Sequence, residues 1–238
     1  MLIFLVVYII TLIFSFVNDS NTDAIMVGGS TVADPIHFSN VVLEIKACTN
    51  LPVIIFPNNV ASITKYADAI WFMSLLNSMN VYYIIGAQML AAPLIKKYGI
   101  EPLSMAYIVV GEGKTAGFIG QANPIPLDKP ELALAYALAA EMLGFEFVYL
   151  EAGSGATKPI PPEFVSFVRK GLGRCRLIVG GGIREPSVAY HLAKAGADII
   201  VTGTILTHDP TGLKEIVRAI KKAGREKKTL IKPANSPP

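Results

Sequence analysis

From residue 23 onward, short and continuously apolar runs alternate with longer amphipathic stretches. The runs cover residues 23–29, 51–57, 69–74, 105–111, 147–153, 176–182 and 198–204. Apolar residues on successive positions, instead of alternate ones, are typical of parallel strands that are buried on both faces. Several of the intervening stretches, such as 130–144 and 186–196, begin with Pro and end at Gly, as helices often do. The pattern therefore predicts seven parallel strands with helical crossovers.

The first 17 residues form a further apolar run, interrupted only by Thr11 and Ser15, and no charge precedes Asp19. Its β-branched residues favour a strand, although the run is longer than most strands. Three interpretations stay open: a buried first strand, a signal or anchor segment, or an altered start of the gene product. A signal peptide would carry a basic region, yet the first basic residue is Lys46.

With this run counted as an eighth strand, the sequence predicts an α/β fold, a modified (β/α)₈ TIM barrel, rather than an open doubly wound sheet. The first helix should be missing, because about five residues separate the run from Asp23. The third crossover, between Phe56 and Ala69, is too short for a full helix. We expect an atypical segment at 1–22, a barrel at 23–224 and a basic, disordered tail at 225–238.

Composition changes this picture in two respects. Of the 238 residues, 52% are hydrophobic and 16% charged, which excludes a disordered chain, and two cysteines exclude a disulfide scaffold. The net charge of +3 arises near the end, where residues 214–232 hold eight of the 21 basic and two of the 18 acidic residues. We interpret this region as a solvated helix; a patch for nucleic acid or anionic lipid is the alternative.

Glycine-rich strand ends supply the candidate chemistry. Gly180–Gly182 and Gly203 follow adjacent predicted strands, and such turns let backbone N–H groups approach phosphate oxygens. In TIM barrels, phosphate is often bound after the last two strands. Glu151 ends another predicted strand, where a carboxylate can accept a proton from a substrate hydroxyl, although a structural ion pair is equally consistent. Ser30, after Gly28-Gly29, carries an oxygen that can ligate Mg²⁺ or diphosphate.

Several long segments together resemble the geranylgeranylglyceryl phosphate synthase family, archaeal prenyltransferases of ether-lipid synthesis. The resemblance covers residues 23–224 and is carried by DAIMVGGST (23–31), ADAIWFMSLLNS (67–78), YIVVGEGKTAGFIGQANPIP (107–126), YLEAGSG (149–155), IVGGGIR (178–184) and ADIIVTGT (197–204). It implies a cytoplasmic, Mg²⁺-dependent enzyme that joins the C3 hydroxyl of sn-glycerol 1-phosphate to geranylgeranyl diphosphate. It also implies assembly into a homo-oligomer, no nucleic-acid partner and possible peripheral contact with a membrane.

The resemblance assigns roles to individual residues. Glu151 and Tyr149 are the implied catalytic residues, and Ser30 is the implied Mg²⁺ ligand. The implied binding site for sn-glycerol 1-phosphate consists of Tyr149, Leu150, Glu151, Ala152, Gly153, Ser154, Gly155, Gly181, Gly182, Gly203 and Thr204. For the prenyl chain, the aromatic residues around 71–83 and the helix predicted at 80–94 are candidates.

The chain departs from the family at its start. Members of the family end their first strand with Leu-Ile-Asp-Pro-Asp-Lys, and the first Asp ligates Mg²⁺. Here Leu12-Ile13 is followed by Phe14, and Asp19 is the nearest carboxylate. This departure supports two alternative hypotheses: a phosphate-binding barrel whose catalysis is impaired by the missing ligand, or a different phosphate-binding TIM-barrel enzyme.

Overall fold

A curled sheet of parallel strands organises the protein. The computed structural model describes residues 14–29, 31 and 34–230, and in this part of the chain seven strands pair in chain order, each with the next. They are β1 (Ile25–Gly28), β2 (Val53–Phe56), β3 (Ala69–Leu75), β4 (Glu101–Val109), β5 (Phe147–Glu151), β6 (Arg176–Gly180) and β7 (Ile199–Val201). Each strand overlaps a run predicted from the sequence, but β4 begins four residues before its predicted run at 105–111 and β3 ends one residue beyond its predicted run at 69–74. The fold is TIM-barrel-like, as expected.

Helices follow most strands. They are α1 (residues 14–19), α2 (Pro35–Cys48), α3 (Ala87–Tyr98), α4 (Lys114–Ile119), α5 (Pro130–Met142), α6 (Pro162–Gly171), α7 (Pro186–Ala195), α8 (Thr204–His208) and α9 (Leu213–Leu230). Proline occupies the first turn of α2, α5, α6 and α7, where its missing N–H costs no hydrogen bond. The predicted short crossover is confirmed, because a 3₁₀ turn (Val60–Ser62) is the helical element between β2 and β3.

The expectation that the first helix is missing is wrong. Residues 14–19 are helical, and the buried side chains of Phe14 and Val17, three residues apart, pack into the main core. The Asn18 side chain donates to the Cys48 carbonyl at 2.9 Å, and the Thr49 hydroxyl donates to Asn18 Oδ1 at 2.7 Å. The helix therefore begins inside the apolar run. Because the neighbouring residues in the sequence are apolar as well, the spacing of Phe14 and Val17 does not stand out. The strand predicted in the first 17 residues is therefore wrong for residues 14–17, and residues 1–13 lie outside the described part of the chain.

The boundary of the predicted tail also needs correction. Helix α9 continues to Leu230, so residues 225–230 are helical, whereas residues 231–238 lie outside the described part. Glu226 accepts hydrogen bonds from Tyr190 at 2.6 Å and from Lys194 at 3.1 Å, which fastens α9 to α7. Lys221 pairs with Asp23 at 2.9 Å. The basic C-terminal helix is thus part of the barrel wall.

The strands separate two apolar layers. Alternate side chains face the helices and join the large core, including Val148 and Leu150 of β5. The others fill the concave side of the sheet, including Trp71, Met105, Tyr107 and Tyr149. Each strand therefore presents every second side chain to the interior. Within the described residues, the structure has no helix of the length and apolarity needed to cross a membrane.

Candidate active site

A cavity of about 550 Å³ opens at the carboxyl ends of the strands and extends between β3, α3 and α4. Glu151, Tyr149 and Ser154 line it on the β5 side, and Gly28 and Gly29 line it at the end of β1. Its deeper wall is mostly apolar and consists of Ile63, Ile70, Trp71, Phe72, Leu75, Tyr83, Ala87, Ala91, Ile95 and Ile119, among others. A polar mouth thus continues into an apolar interior.

Glu151 is the buried carboxylate at this mouth, and β5 positions it. Tyr149 and Glu151 are two residues apart on β5, so both point to the concave side. Glu151 Oε1 accepts a hydrogen bond of 2.6 Å from the N–H of Gly153. Tyr149 and Tyr107, the residue that pairs with Tyr149 on β4, are buried beside the carboxylate, and their hydroxyls lower its pKa. The Gly153 N–H therefore fixes one carboxylate oxygen next to two buried tyrosines.

Burial dominates the electrostatics of this group. It raises the pKa of the Glu151 carboxyl, while the hydrogen bonds from Gly153, Tyr149 and Tyr107 act in the opposite direction. Burial and the adjacent Glu151 charge raise the pKa of both tyrosines well above its ordinary value, so both hydroxyls stay protonated donors. A carboxylate with a raised pKa is a stronger base than an exposed one, which suits proton abstraction from a hydroxyl.

Two glycine turns approach the carboxylate closely. Gly181, directly after β6, has φ +89°, and a Cβ there would lie 2.7 Å from Glu151 Oε1 and 2.8 Å from the Gly153 nitrogen. Gly153 itself has φ +102° and leaves no room for a Cβ beside Gly113 and Lys114. Side chains at either position would displace the turns, so glycine is required for the strand ends to converge.

The predicted phosphate residues lie around the same mouth. Gly182 has φ +72°, and Gly203 stands open at the end of β7, directly before Thr204 begins α8. The Thr202 hydroxyl donates to the Ile183 carbonyl at 2.8 Å and thereby joins the ends of β6 and β7. The arrangement brings exposed backbone from two neighbouring strand ends together, a geometry suited to an oxyanion.

Other predicted residues have different surroundings. The side chains of Leu150 and Ala152 are buried in the core between sheet and helices, so only their backbone faces the mouth. Ser154 and Gly155 are exposed, in the loop after β5. Ser30, the predicted Mg²⁺ ligand, lies outside the described residues. Asp19 is exposed on α1 and does not line the cavity.

Tyr107 is a residue of the candidate site that sequence reasoning missed. Its ring lies 5.2 Å from that of Tyr149, and Phe56 of β2 contacts both rings at 5.5 and 5.8 Å. Tyr107 could have been found only from the register of two predicted parallel strands, β4 and β5, which places it beside Tyr149. Asn77 closes β4: its amide donates to the carbonyls of Val109 and Asn123, each at 2.9 Å.

The prediction of an apolar groove agrees with the cavity wall. Trp71, Phe72 and Tyr83 line it, whereas Tyr82 does not. A single π turn (Tyr82–Gly86) precedes α3, and the Gln88 amide donates to the Tyr83 carbonyl at 3.1 Å and also to the Met73 carbonyl. This contact fastens the turn to β3, so that the inner face of α3 forms one side of the cavity.

Carboxylates are scarce at the mouth. No group of three or more His, Cys, Asp or Glu that could hold a metal ion occurs among the residues the structure describes. Besides Glu151, the polar lining near β1 and β2 is Thr31, Asn58 and Asn59. Their oxygens carry no charge, and Asn58 Oδ1 and Asn59 Oδ1 already accept hydrogen bonds from the Ser62 hydroxyl and the Ala61 N–H. A bound divalent cation would therefore depend mainly on the oxygens of its substrate.

The fold and site together define a class: a TIM-barrel-like enzyme with a buried carboxylate and glycine-rich strand ends at the mouth of an apolar cavity. Comparison with known proteins identifies the family. The sequence pattern of the PcrB family matches residues 10–224. The chain therefore belongs to the PcrB family.

Its relatives carry one name. The chain is 51% identical over 210 residues to geranylgeranylglyceryl phosphate synthase of Thermofilum pendens, which covers 88% of this chain and 81% of the relative. It is 57% identical over 189 residues to the enzyme of that name from Pyrococcus horikoshii, covering 79% and 74%.

Among solved structures, the chain resembles (S)-3-O-geranylgeranylglyceryl phosphate synthase from Thermoplasma acidophilum in complex with its substrate sn-glycerol-1-phosphate. The TM-score is 0.86 and the identity 44%, covering 90% of this chain and 87% of the other. A thiamine phosphate pyrophosphorylase from Pyrococcus furiosus, at 14% identity and a TM-score of 0.56, shares the fold alone. The alternative of a different phosphate-binding barrel is therefore not favoured.

Proposed function

We propose that this protein joins a geranylgeranyl group to the C3 hydroxyl of sn-glycerol 1-phosphate and releases diphosphate. The observation that carries the proposal is the position of Glu151: a buried carboxylate lies where glycine turns meet an apolar cavity. The reaction joins a small, doubly charged alcohol to a long hydrocarbon chain. It therefore needs a polar subsite and an apolar subsite that meet at one base. Its relatives' shared name supports the same reaction.

The glycerol phosphate belongs on the β5–β7 side of the mouth. Backbone N–H groups at Gly181, Gly182 and Gly203, with the N-terminus of α8 at Thr204, are the partners we assign to its phosphate. The loop after β5, with Ser154, borders the glycerol carbons. This placement leaves the hydroxyl farthest from the phosphate directed at Glu151.

Transfer then requires one proton and one bond to move. The Glu151 carboxylate accepts the proton of the C3 hydroxyl, and the oxygen forms a bond to C1 of the prenyl group. The bond between C1 and the diphosphate oxygen breaks, and its electron pair leaves with diphosphate. The Gly153 N–H keeps the carboxylate oriented during this step, since it donates to Oε1 directly, and the hydroxyls of Tyr149 and Tyr107 favour its charged form.

The apolar cavity receives the prenyl chain. Trp71, Phe72 and Tyr83 form part of its wall, and the small side chains of Ala87 and Ala91 leave space on the α3 side. A wall of this kind excludes water from the carbon that is attacked, so that the alcohol is the available nucleophile.

We also propose that Mg²⁺ accompanies the diphosphate. Mg²⁺ in proteins is commonly held by one or two side chains together with substrate phosphates and water, so the uncharged oxygen donors of Thr31, Asn58 and Asn59 fit such a site, with Ser30 as the predicted ligand. When bound, the ion would neutralise charge on the leaving diphosphate. Phe14 occupies the position of the family's aspartate and is buried, so the chain supplies fewer charged ligands than the family pattern.

The test is product formation from purified protein, sn-glycerol 1-phosphate and geranylgeranyl diphosphate, with and without Mg²⁺, followed by mass spectrometry. We expect the ether product, a loss of turnover by about 10²-fold or more in Glu151→Gln, and no such loss in the exposed control Glu163→Gln. A folded wild-type protein that yields no ether would refute the proposed reaction. Normal turnover of Glu151→Gln would refute the role of the carboxylate.

Self-association is a further part of the proposal. Helix α5 exposes an uncharged face at helical spacing, made of Leu132, Ala135, Tyr136, Ala139, Met142 and Leu143. Its alanines allow close approach of another helix, and the two-fold contact of a homodimer would cover the face. Light scattering of the wild type and of Met142→Glu tests this: we expect a dimer or larger assembly that the substitution dissociates.

A further inference from the structure

Helix α3 has two apolar faces, and only one of them is covered. Gln88, Ala91 and Ile95 face the cavity and are buried. Large apolar residues on the outside, here called the apolar rim, are each 54–83% exposed: Met79, Val81, Ile85, Met89, Leu90 and, on α4, Phe118. A surface helix of a globular protein normally carries charge on its outer face, so an apolar outer face indicates a contact surface.

The rim follows the cavity. Val81, Ile85 and Met89 are spaced four residues apart, so they lie along one side of the π turn and α3. Helix α4, which carries Phe118, lines the cavity through Thr115, Ala116 and Ile119. The Met79 N–H donates to the Gln121 carbonyl at 2.8 Å, which joins the segment before α3 to the end of α4. The helices that enclose the cavity are thus those that expose the rim.

The segment that carries most of the rim ends in two cations. Residues 79–98 contain no Asp or Glu, and their two charged residues, Lys96 and Lys97, are exposed in the last turn of α3. The exposed Glu101 follows at the start of β4. An apolar stripe that ends in exposed lysines is characteristic of helices that lie in the interface of a membrane, where the cations meet anionic headgroups.

We propose that the apolar rim docks on the surface of a bilayer with anionic headgroups, so that the cavity adjoins the membrane. The inference rests on the proposed function, because a twenty-carbon prenyl chain and its ether product are amphiphiles that partition into bilayers. Docking lets the chain pass between the membrane and the cavity without crossing water. The rim lies on the membrane and does not span it.

A second copy of the chain is the competing occupant. The α5 face suits helix-to-helix contact better, because Ala135 and Ala139 stand at its centre, whereas the rim projects long methionine, isoleucine and leucine side chains. The lysine pair would also face its own copy across a two-fold contact, which like charges disfavour.

The experiment is co-sedimentation of the full chain with vesicles of phosphatidylcholine, alone or mixed with about one-third phosphatidylglycerol. We expect binding to the anionic vesicles. Ile85→Glu/Met89→Glu should lower the partition coefficient by at least about tenfold per substitution. Lys96→Gln/Lys97→Gln should lower it about fivefold per charge, with less salt dependence. The matched control Leu43→Glu/Phe167→Glu alters exposed apolar residues of α2 and α6 and should bind as the wild type does.

Three outcomes would overturn the proposal. The first is that the wild type fails to bind anionic vesicles, and the second is that the control loses as much binding as the rim variant does. The third is that the rim substitutions halve the mass measured by light scattering, a result that would assign the rim to contact with a second copy of the chain. Ether formation from detergent-dispersed substrate, measured in parallel, separates this proposal from the proposed function. An active enzyme that ignores vesicles refutes the docking alone.

Discussion

Gly180, the last residue of β6, offers a test of how the site is packed. A Cβ at this position would lie 2.0 Å from the Tyr149 hydroxyl oxygen and 2.8 Å from Cζ of the same ring. The ring is buried, contacts the rings of Phe56 and Tyr107, and also lines the cavity. In Gly180→Ala, the hydroxyl must therefore retreat by roughly 1 Å to reach even a 3.0 Å contact, which moves it relative to the Glu151 carboxylate.

The magnitude follows from these contacts. Overpacking of this kind costs about 1–3 kcal/mol of unfolding free energy, and a misplacement of about 1 Å beside the base lowers turnover by about 10²-fold. Tyr149→Phe removes the closest atom, the hydroxyl oxygen. The unfolding free energy of the double variant Gly180→Ala/Tyr149→Phe should therefore be about 1 kcal/mol higher than the sum of the two single changes predicts. The remaining 2.8 Å contact to Cζ keeps the rescue partial.

Urea denaturation of the wild type, both single variants and the double variant measures this coupling, with kcat/KM determined in parallel. The matched control is Gly224→Ala in α9, where a Cβ meets no atom within 4 Å and helix propensity should raise stability by about 0.5–1 kcal/mol. Wild-type stability and turnover of Gly180→Ala would refute the reasoning, because Tyr149 could not then lie against β6. Additive effects of the two substitutions would refute the contact between them.

Three further predictions concern the mouth. Since burial raises the pKa of Glu151, kcat/KM should fall on the acid side around an apparent pKa above that of an exposed Glu, and the residual rate of Glu151→Gln should lack this limb. Lys114 has φ +46°, so Lys114→Gly should raise the unfolding free energy by about 1 kcal/mol in urea denaturation, since its exposed pair with Glu112 contributes little. Glu112 accepts hydrogen bonds from the Thr157 N–H and hydroxyl. The ion pair with Lys114 and these hydrogen bonds lower the pKa of Glu112 to about 2, so the carboxylate is ionised throughout the assay range. Glu112→Gln should release the loop after β5 and therefore raise KM for sn-glycerol 1-phosphate more than it lowers kcat.

The strand positions could be predicted because each strand is apolar on both faces, a pattern that depends on local sequence alone. The same holds for Glu151 and Gly181, which end apolar runs. Tyr107 was missed because its role arises from register: residues 107 and 149 are 42 positions apart and meet only when β4 pairs with β5. Strand register depends on the whole sheet, so no local pattern reveals it.

The ends of the chain were predicted less well for a different reason. Phe14 and Val17 continue an apolar run, and an apolar run of this length does not distinguish strand from helix. The helix is identified by tertiary contacts of Asn18 with Cys48 and Thr49. At the other end, charge density predicted disorder at 225–230, whereas the contact of Glu226 with Tyr190 continues α9. In both places, tertiary contacts override the local signal.

Two kinds of anion recognition in this chain should respond differently to salt. Outside residues 214–232 the chain has more acidic than basic residues, so no long-range positive field attracts a phosphate to the mouth. In the proposed site the phosphate is held by backbone N–H groups at Gly181 and Gly203, at contact distance, where mobile ions screen little. The rim instead relies on exposed Lys96 and Lys97, whose attraction to headgroups decays within about one Debye length. Raising the salt concentration should therefore release the protein from anionic vesicles while KM for sn-glycerol 1-phosphate changes little, and a parallel loss of both would mean that the phosphate is held by exposed cations.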